Sequence, residues 1–588
     1  MSPLNSPSSP TGGRAEDRAL FRFIPALGTL RGYSVRDARG DLVGGLSVAA
    51  VAVPQAMAYA LIVGLPPEIG LYTAIVMTAV GALFDSSRQL INGPTNAISI
   101  ALLGAIGGIA DPNERVQAAA FLAFMIGAIQ MTISFARLGD LTRYVSHSVI
   151  VGFTAGASLL LVFDQVKNLF GQKTVADVHD HFLVRFWTSL TLGGPVHGRT
   201  LAIGLASIAV ILLLRLIKRR LDWPLFPEFL CTVVLMAAVT AVWRMDEQGV
   251  AVVGQIPASL PEPSFPRFDY DWVREYASAA LAIGLLGILE AIAMAKSIAA
   301  VTRQKLDLNQ QCLSEGVANL AGSFFSCMPG SGSLTRTAIN HQAGGRTQWA
   351  GVISAVAVGL TMMVLAPYAR FIPRSALAGL LMLTAARMVS IKDLRYHMQV
   401  SRFDAVIVVT TAVAAFAISV EFCLLVGVIM SFLLAVPRTG NMLLTEFVEA
   451  GEDHVRERLD EDEASALVLV FGLEGELFFG SSVSLGQHLT TIEERVSPLT
   501  RVVVLRMKRV RNPDAVGLAL LSGLVERLHE RGVHVLLCGV RSELQASLGR
   551  SGILTRINED HVFLERAVRQ TSTQDAMRYA RRLCATSA

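Results

Sequence analysis

The sequence predicts an α-helical membrane protein of about fourteen spanning segments, arranged as two inverted repeats of seven, followed by a smaller α/β domain. Three observations carry this reading. First, 52% of the 588 residues are hydrophobic and the mean hydropathy is +0.50, too apolar for a soluble chain of this length. Second, the apolar character stops near Pro437, after which charged residues crowd positions 446–463. Third, two segments rich in Gly, Pro and Ser, GPTNAIS at 93–99 and GSGSLTR at 330–336, each open an apolar stretch too short to cross a bilayer. Interrupted segments in matching positions of two halves point to the midplane site of an inverted-repeat transporter.

Taken in order, residues 1–40 carry Ser, Pro and Gly and then Arg14, Arg18, Arg22, Arg31, Arg36 and Arg39. They lack the short apolar core and cleavage site of a signal peptide, so the amino terminus is expected in the cytoplasm. Spans are expected to start near Leu42, Ile69, Thr95, Val116, His147, Thr200 and Leu225 in the first seven. In the second seven they start near Ala277, Cys312, Ser333, Gln348, Ile372, Phe403 and Phe422. An even count puts both termini on one side, and the basic clusters fall there too: Arg137 with Arg143, Arg215 with Lys218, Arg219 and Arg220, Arg303 with Lys305, and the run 387–402. By the positive-inside rule that side is the cytoplasm of a cell-membrane protein. The opposite loops, 164–199 and 246–275, obey the rule only loosely, since the first carries Lys167, Lys173 and Arg185. VPQAMAYA around Gln55 and ILEAIAMA around Glu290 share a polar residue followed by alternate alanines; the same pattern also arises wherever helices pack closely through small residues.

Beyond the membrane part, ALVLVFGLEGELFF, RVVVLRM and VHVLLCGV read as buried strands, with a helix-period stretch at 514–530 between the last two. The expected organisation is a cytoplasmic segment at 1–40, a transmembrane domain at 41–437, a charged linker at 438–462, the α/β domain at 463–570 and a tail at 571–588. A net charge of +4, with the basic residues at membrane edges, argues against nucleic-acid binding. Six scattered cysteines form neither a CxxC pair nor a secreted framework, so neither a metal nor a cofactor is expected. No nucleophile with a nearby base and no phosphate loop stands out, which makes an enzyme the weakest class. His147, His341 and His397 stand singly at span edges and are assigned no role.

The chemistry is expected at the interruptions. A helix amino terminus presents unpaired amides and about half a positive charge, so two half-helices meeting end to end can seat an anion. Gly93, Pro94, Gly330 and Gly332 suit such half-helix starts, with Pro94 in a first turn and the glycines letting a ligand approach the backbone; the competing reading is a simple Gly/Pro kink. Glu290 lies deep in the otherwise uncharged stretch 276–295, a costly position that marks a functional candidate. Its natural partner is Arg336, and the pair reads either as a proton-coupling carboxylate with its modulating cation or as a static ion pair. Two helix ends supply about +1 and Arg336 another +1, so a protonated Glu290 leaves roughly +2, suited to a dianion, and an ionised one leaves about +1, suited to bicarbonate or chloride. Gln55 and Tyr59, one turn apart on the first span, can both face a cavity and hydrogen-bond an oxyanion, or can pack between helices. Thr95, Ser333 and Thr335 stand beside the half-helix starts, where hydroxyls cap the helix or donate to the anion; for Ser333 capping is the assignment.

These residues lie in motifs that resemble the sulfate permease family (SulP, solute carrier family 26) over almost the whole chain. VPQAMAYALIVGLPPEIGLYTA is similar to that family's first-span signature, INGPTNAISI to its third-span start and PGSGSLTRTAINHQAGG to its tenth-span start, in the family's order. The resemblance implies fourteen spans in two inverted repeats, a core domain moving against a gate domain, a homodimer, and a cytoplasmic STAS domain. It implies an anion pocket lined by Gln55, Tyr59, Thr95, Ser333, Thr335 and Arg336, with Glu290 at the acidic position of the eighth span. Some sodium-coupled bicarbonate members carry Asp there, so the longer Glu favours proton coupling. The tail resembles STAS domains through GELFFGSS and NPDAVGLALL; Ala515 stands where many relatives carry a phosphorylatable serine, which excludes phosphorylation at that position. The expected function is secondary active anion transport across the lipid bilayer, with sulfate the leading substrate and bicarbonate or a dicarboxylate the rivals. An anion channel, or a membrane sensor signalling through the STAS domain to a protein partner, is the alternative class.

Overall fold

The computed structural model describes residues 23–140, 146–172, 182–223, 226–450, 455–459, 461–462, 466–566 and 571–586. They form two units, Met1–Met430 and Ser431–Ala588.

The first unit opens with α1 (Pro25–Leu30), α2 (Val35–Val63) and α3 (Pro67–Phe84), then β1 (Asn92–Gly93), α4 (Asn96–Ile106), α5 (Pro112–Phe135) and α6 (His147–Phe170). It continues with α7 (Phe182–Leu192), α8 (Gly198–Arg220), α9 (Glu228–Val242), α10 (Tyr270–Thr302), α11 (Leu308–Ser323), β2 (Ser331–Gly332) and α12 (Leu334–Gln342). The last helices are α13 (Trp349–Ala369), α14 (Arg374–Met388), α15 (Ile391–Val400), α16 (Arg402–Ala417) and α17 (Val420–Thr439), which runs into the second unit.

Polar residues set where these helices begin. Ser34 and Asp37 make a reciprocal capping box at α2, and Asp111, Asp269 and Asp307 cap α5, α10 and α11 with their carboxylates. The expected span starts fall at or near helix starts; Leu225 lies outside the described residues, and its helix begins at Glu228. Among the described residues nine helices are long and apolar enough to cross a membrane by themselves. Others, α4 and α12 among them, are short, which a membrane tolerates only where the freed backbone is buried in protein. Three helices are additional: α1, α7, and α15, which buries no residue and carries Lys392, Arg395 and His397 beside exposed Ile391, Tyr396 and Val400.

The packing sorts the helices by origin in the chain. α2, α3 and α5 of the first half pack against α11 and α13 of the second, whereas α6, α8 and α9 pack among themselves and against α14 and α16. Small residues permit the close approaches: a methyl group added at Gly127 on α5 would lie 2.6 Å from the Leu320 amide nitrogen of α11. Asp41, fully buried on α2, accepts from the backbone amides of Arg346 (2.7 Å) and Thr347 (2.9 Å) and so pins α2 to the turn before α13.

The second unit contains a six-stranded sheet in the order β4-β3-β5-β6-β7-β8. Its strands are β3 (Leu443–Glu449), β4 (Val455–Glu457), β5 (Val468–Glu476), β6 (Val502–Arg511), β7 (His534–Val540) and β8 (Val562–Leu564). β5 to β8 run parallel, and β3 and β4 are antiparallel additions at one edge. The two-residue period of the strands feeds two cores. Val503, Leu505 and Met507 face α18 (Ser482–Arg495), α19 (Ala515–Glu530), α20 (Ser542–Arg550) and α21 (Ile553–Ile557). Val502 and Val504 face α22 (Thr571–Thr586) through Ala576, Met577 and Ala580. The stretch set apart as a tail in the sequence is thus a helix docked on the sheet. The helix read at 514–530 starts at Ala515, capped by Asp514, whose Oδ1 accepts from Gly517 N at 2.8 Å.

Candidate functional site

The two interruptions meet. β1 and β2 pair antiparallel with Asn92 opposite Gly332 and Gly93 opposite Ser331, and Ser333 N extends the ladder by donating to Ile91 O at 2.9 Å. α4 and α12 begin immediately beyond this crossing, so their amino ends converge on it. The four residues expected as half-helix starts therefore stand one step earlier: Gly93 and Gly332 in the paired strands, Gly330 just before them, and Pro94 outside the cap of α4. The reason is that Thr95 and Ser333 take the cap positions, their hydroxyls accepting from Ile98 N and Arg336 N, which leaves the preceding residues extended.

The glycines are dictated by proximity. Gly93 has φ +137°, and a methyl group there would lie 2.9 Å from Arg336 Nη1. At Gly330 a methyl group would fall 2.4 Å from the Gly93 carbonyl oxygen, inside the radius of a backbone atom that cannot move alone. Asn319 of α11, fully buried, holds Gly330 from both sides: its Oδ1 accepts from Gly330 N at 3.0 Å and its Nδ2 donates to Gly330 O at 3.2 Å. Asn319 Nδ2 also donates to Gln130 Oε1 of α5 at 3.0 Å. On the other strand, Asn92 donates to both oxygens of buried Asp85, at 3.1 and 3.2 Å, which also accepts from Gln311 and Ser314 at 2.7 Å each.

Around the crossing sit the predicted ligands. Gln55, Thr95, Ser333 and Arg336 are buried, Tyr59 is buried one turn beyond Gln55 on α2, and Thr335 is partly buried. α2 packs against both α4 and α12, and its Tyr59 lies within electrostatic reach of Arg336 and Glu290. Neither polar atom of the Gln55 amide has a hydrogen-bond partner among the described residues, a state that costs about 1–3 kcal/mol. The expected Glu290–Arg336 pair is not formed. Arg336 donates from Nη2 to Pro94 O at 2.8 Å, across the crossing, while its Nε has no partner among the described residues. Glu290 Oε2 instead accepts from Thr95 Oγ1 at 3.1 Å and from Ser331 Oγ at 2.6 Å. The cap hydroxyl of Thr95 thus has its proton committed to Glu290.

Ser331, Asn319, Gln130 and Asp85 are supporting residues that sequence reasoning missed. Glu315, fully buried on α11 with no hydrogen bond to either carboxylate oxygen among the described residues, was missed as well. Their one available signal is polarity inside apolar stretches, which the sequence reading applied to Glu290 alone.

The model of the family described as "Sulfate permease family" matches residues 39–411, a stretch that includes every residue just described. The chain belongs to the sulfate permease family. A second family model, the STAS domain, matches residues 461–567. Among curated proteins, YvdB of Bacillus subtilis (strain 168), whose name assigns it provisionally to sulfate transport, is 31% identical over 539 residues, covering 91% of this chain and 98% of that protein. "Sulfate transporter 4.1, chloroplastic" of Arabidopsis thaliana is 27% identical, covering 89% of this chain and 78% of that protein. Among solved structures, the murine Solute Carrier 26 family member A9 anion transporter in the inward-facing state superposes with a TM-score of 0.86 at 22% identity, covering 98% of this chain and 96% of that one. The likeness establishes the fold: a multi-pass transporter domain followed by a STAS domain. The sulfate permease family consists of anion transporters rather than enzymes, and this chain is one of them.

Proposed function

We propose that this protein takes up sulfate with protons by alternating access, holding the anion between the starts of α4 and α12. The observation that carries the reading is that the Gln55 amide on α2 and the Nε of Arg336 on α12, helices packed against each other, both lack a hydrogen-bond partner among the described residues, where two helix amino termini converge. Two helix ends contribute about +1 and Arg336 +1, enough to offset a dianion, and the names of the curated relatives above point to sulfate. Glu290 supplies the coupling: bound to Thr95 at one helix start and Ser331 in the crossing, it carries a negative charge toward the anion when ionised and none when protonated. Sulfate and a proton entering together therefore keep the site near balance, and release of either repels or frees the other. The core, carrying both half-helices, moves against the gate.

The reading extends to the assembly: a homodimer in the cell membrane, both termini cytoplasmic, with the STAS domain available to a protein partner. The test is radiolabelled sulfate uptake into proteoliposomes. An inward proton gradient is expected to accelerate uptake by the wild type, and Glu290→Gln is expected to transport without that acceleration. Wild-type uptake indifferent to the gradient would remove proton coupling, and its absence with sulfate but presence with bicarbonate would reassign the substrate.

A further inference from the structure

A cavity of about 440 Å³ lies against α12 and reaches Thr335 in that helix's first turn. Its walls include Thr335, Ala338, Ile339 and Gln342, one face of α12 from start to end. Opposite them stand Ser47 and Val51 of α2. These continue at four-residue steps into Gln55 and Tyr59, so a single stripe of α2 leads from the cavity to the anion site. The nine residues of α12 span roughly 12 Å, which sets the length of this approach.

The approach is electrostatically awkward without help. The cavity runs to Gln342 at the carboxyl end of α12, where the helix presents about half a negative charge that repels an anion. The cavity wall answers with four cations, Arg215, Lys218 and Arg219 from the end of α8 and Arg387 from α14, against two carboxylates, Asp222 and Glu228. Glu228 is occupied already: Lys218 Nζ lies 2.8 Å from it and Arg387 3.9 Å. Arg215 is different. Its Nε and Nη2 are buried and have no hydrogen-bond partner among the described residues, although the strands and helices of this unit satisfy most such groups. A guanidinium held in a cavity wall with donors to spare beside two further arginines is arranged to receive an oxyanion, for which its planar fork is suited.

We propose that Arg215, with Arg219 and Arg387, forms a second anion-binding station at the mouth of the pathway, a place where a sulfate-type dianion is captured before it moves along α12 to Thr335 and Arg336. It rests on the transport reading for its role and stands apart from it as a binding site. The station sets the capture step, so its signature is charge-dependent. Arg215→Gln removes no hydrogen bond that Nε or Nη2 makes among the described residues, and Glu228→Gln changes the local charge in the opposite direction.

Equilibrium binding of radiolabelled sulfate to the full-length protein in detergent tests the site without requiring transport. At low ionic strength the wild type is expected to show two classes of site, the weaker abolished by salt, and Arg215→Gln to retain the tighter class alone, while Arg215→Lys recovers part of the weaker one. In proteoliposomes Arg215→Gln is expected to raise KM about tenfold at low salt with little change in maximal rate, and Glu228→Gln to lower KM; the differences shrink at high salt. An Arg215→Gln binding isotherm identical to that of the wild type overturns the station whether or not the vesicles transport. Two classes of binding reduced to one by Arg215→Gln, in vesicles that move no sulfate, would uphold the station and overturn the transport reading instead.

Discussion

The two crossed segments share a backbone and differ in chemistry. Each is a short strand ending in a hydroxyl cap, Thr95 or Ser333, followed by a helix too short to span a bilayer. In the first, the cap hydroxyl is tied to Glu290; in the second, the first turn carries Arg336, whose guanidinium reaches back to the carbonyl of Pro94. In the proposed reading the two similar segments supply the anion seat from two dipole ends, and the differences between them supply the charge that selects and couples. An acid and a base placed on opposite sides of one crossing, each held by the opposite or intervening strand rather than by each other, remain free to respond to a ligand.

The largest effect is expected where the backbones touch. Gly330→Ala drives a methyl group into the Gly93 carbonyl and breaks the pairing of β1 with β2, so the variant should fail to give a monodisperse peak in detergent. Gly93→Ala meets side-chain atoms of Arg336 and Thr78 rather than backbone but must hold a φ of +137°, which costs on the order of 1–3 kcal/mol and should give folded protein with a lowered melting temperature. Equal behaviour of the two variants would erase this difference between the segments.

Next comes the charge. Arg336→Gln should weaken sulfate binding about 10- to 100-fold, the loss of a charge-assisted contact worth roughly 1.5–3 kcal/mol, as read by titration calorimetry. Arg336→Lys should recover only part of it, since a point charge cannot replace the fork that bridges Pro94 and the anion. The smallest effect separates the two caps. Thr95→Val and Ser333→Ala should each cost about 1 kcal/mol of stability, but only Thr95→Val removes a hydrogen bond to Glu290, so it alone should shift the pH dependence of uptake. A shift of equal size for Ser333→Ala would mean that the caps are interchangeable.

Much of this was readable in the chain. Apolar length, basic clusters and the Gly/Pro-bearing interruptions place fourteen helices and both breaks, because each is a local property of the sequence. The strands of the soluble domain are legible for the same reason in β5, β6 and β7, whereas β3, β4 and β8 are too short or too charged to announce themselves. What the sequence hides is pairing between distant residues. That Gly330 must lie against Gly93, that Asn319 brackets it, and that Ser331 rather than Arg336 meets Glu290 follow from contacts made in space, with no period along the chain. Arg336 and Glu290 are predicted as partners from opposite charge alone; the crossing gives each a nearer hydrogen-bond partner.

The central claim is that a sulfate-type anion sits between the starts of α4 and α12. A structure determined with selenate in place of sulfate, using the anomalous signal of selenium, tests it most directly. The account predicts a selenium peak at the crossing, with oxygens within hydrogen-bond reach of the Gln55 amide and the amino ends of both half-helices, and with the peak absent in Arg336→Gln. A peak confined to other parts of the molecule, with the crossing empty at saturating selenate, would contradict it.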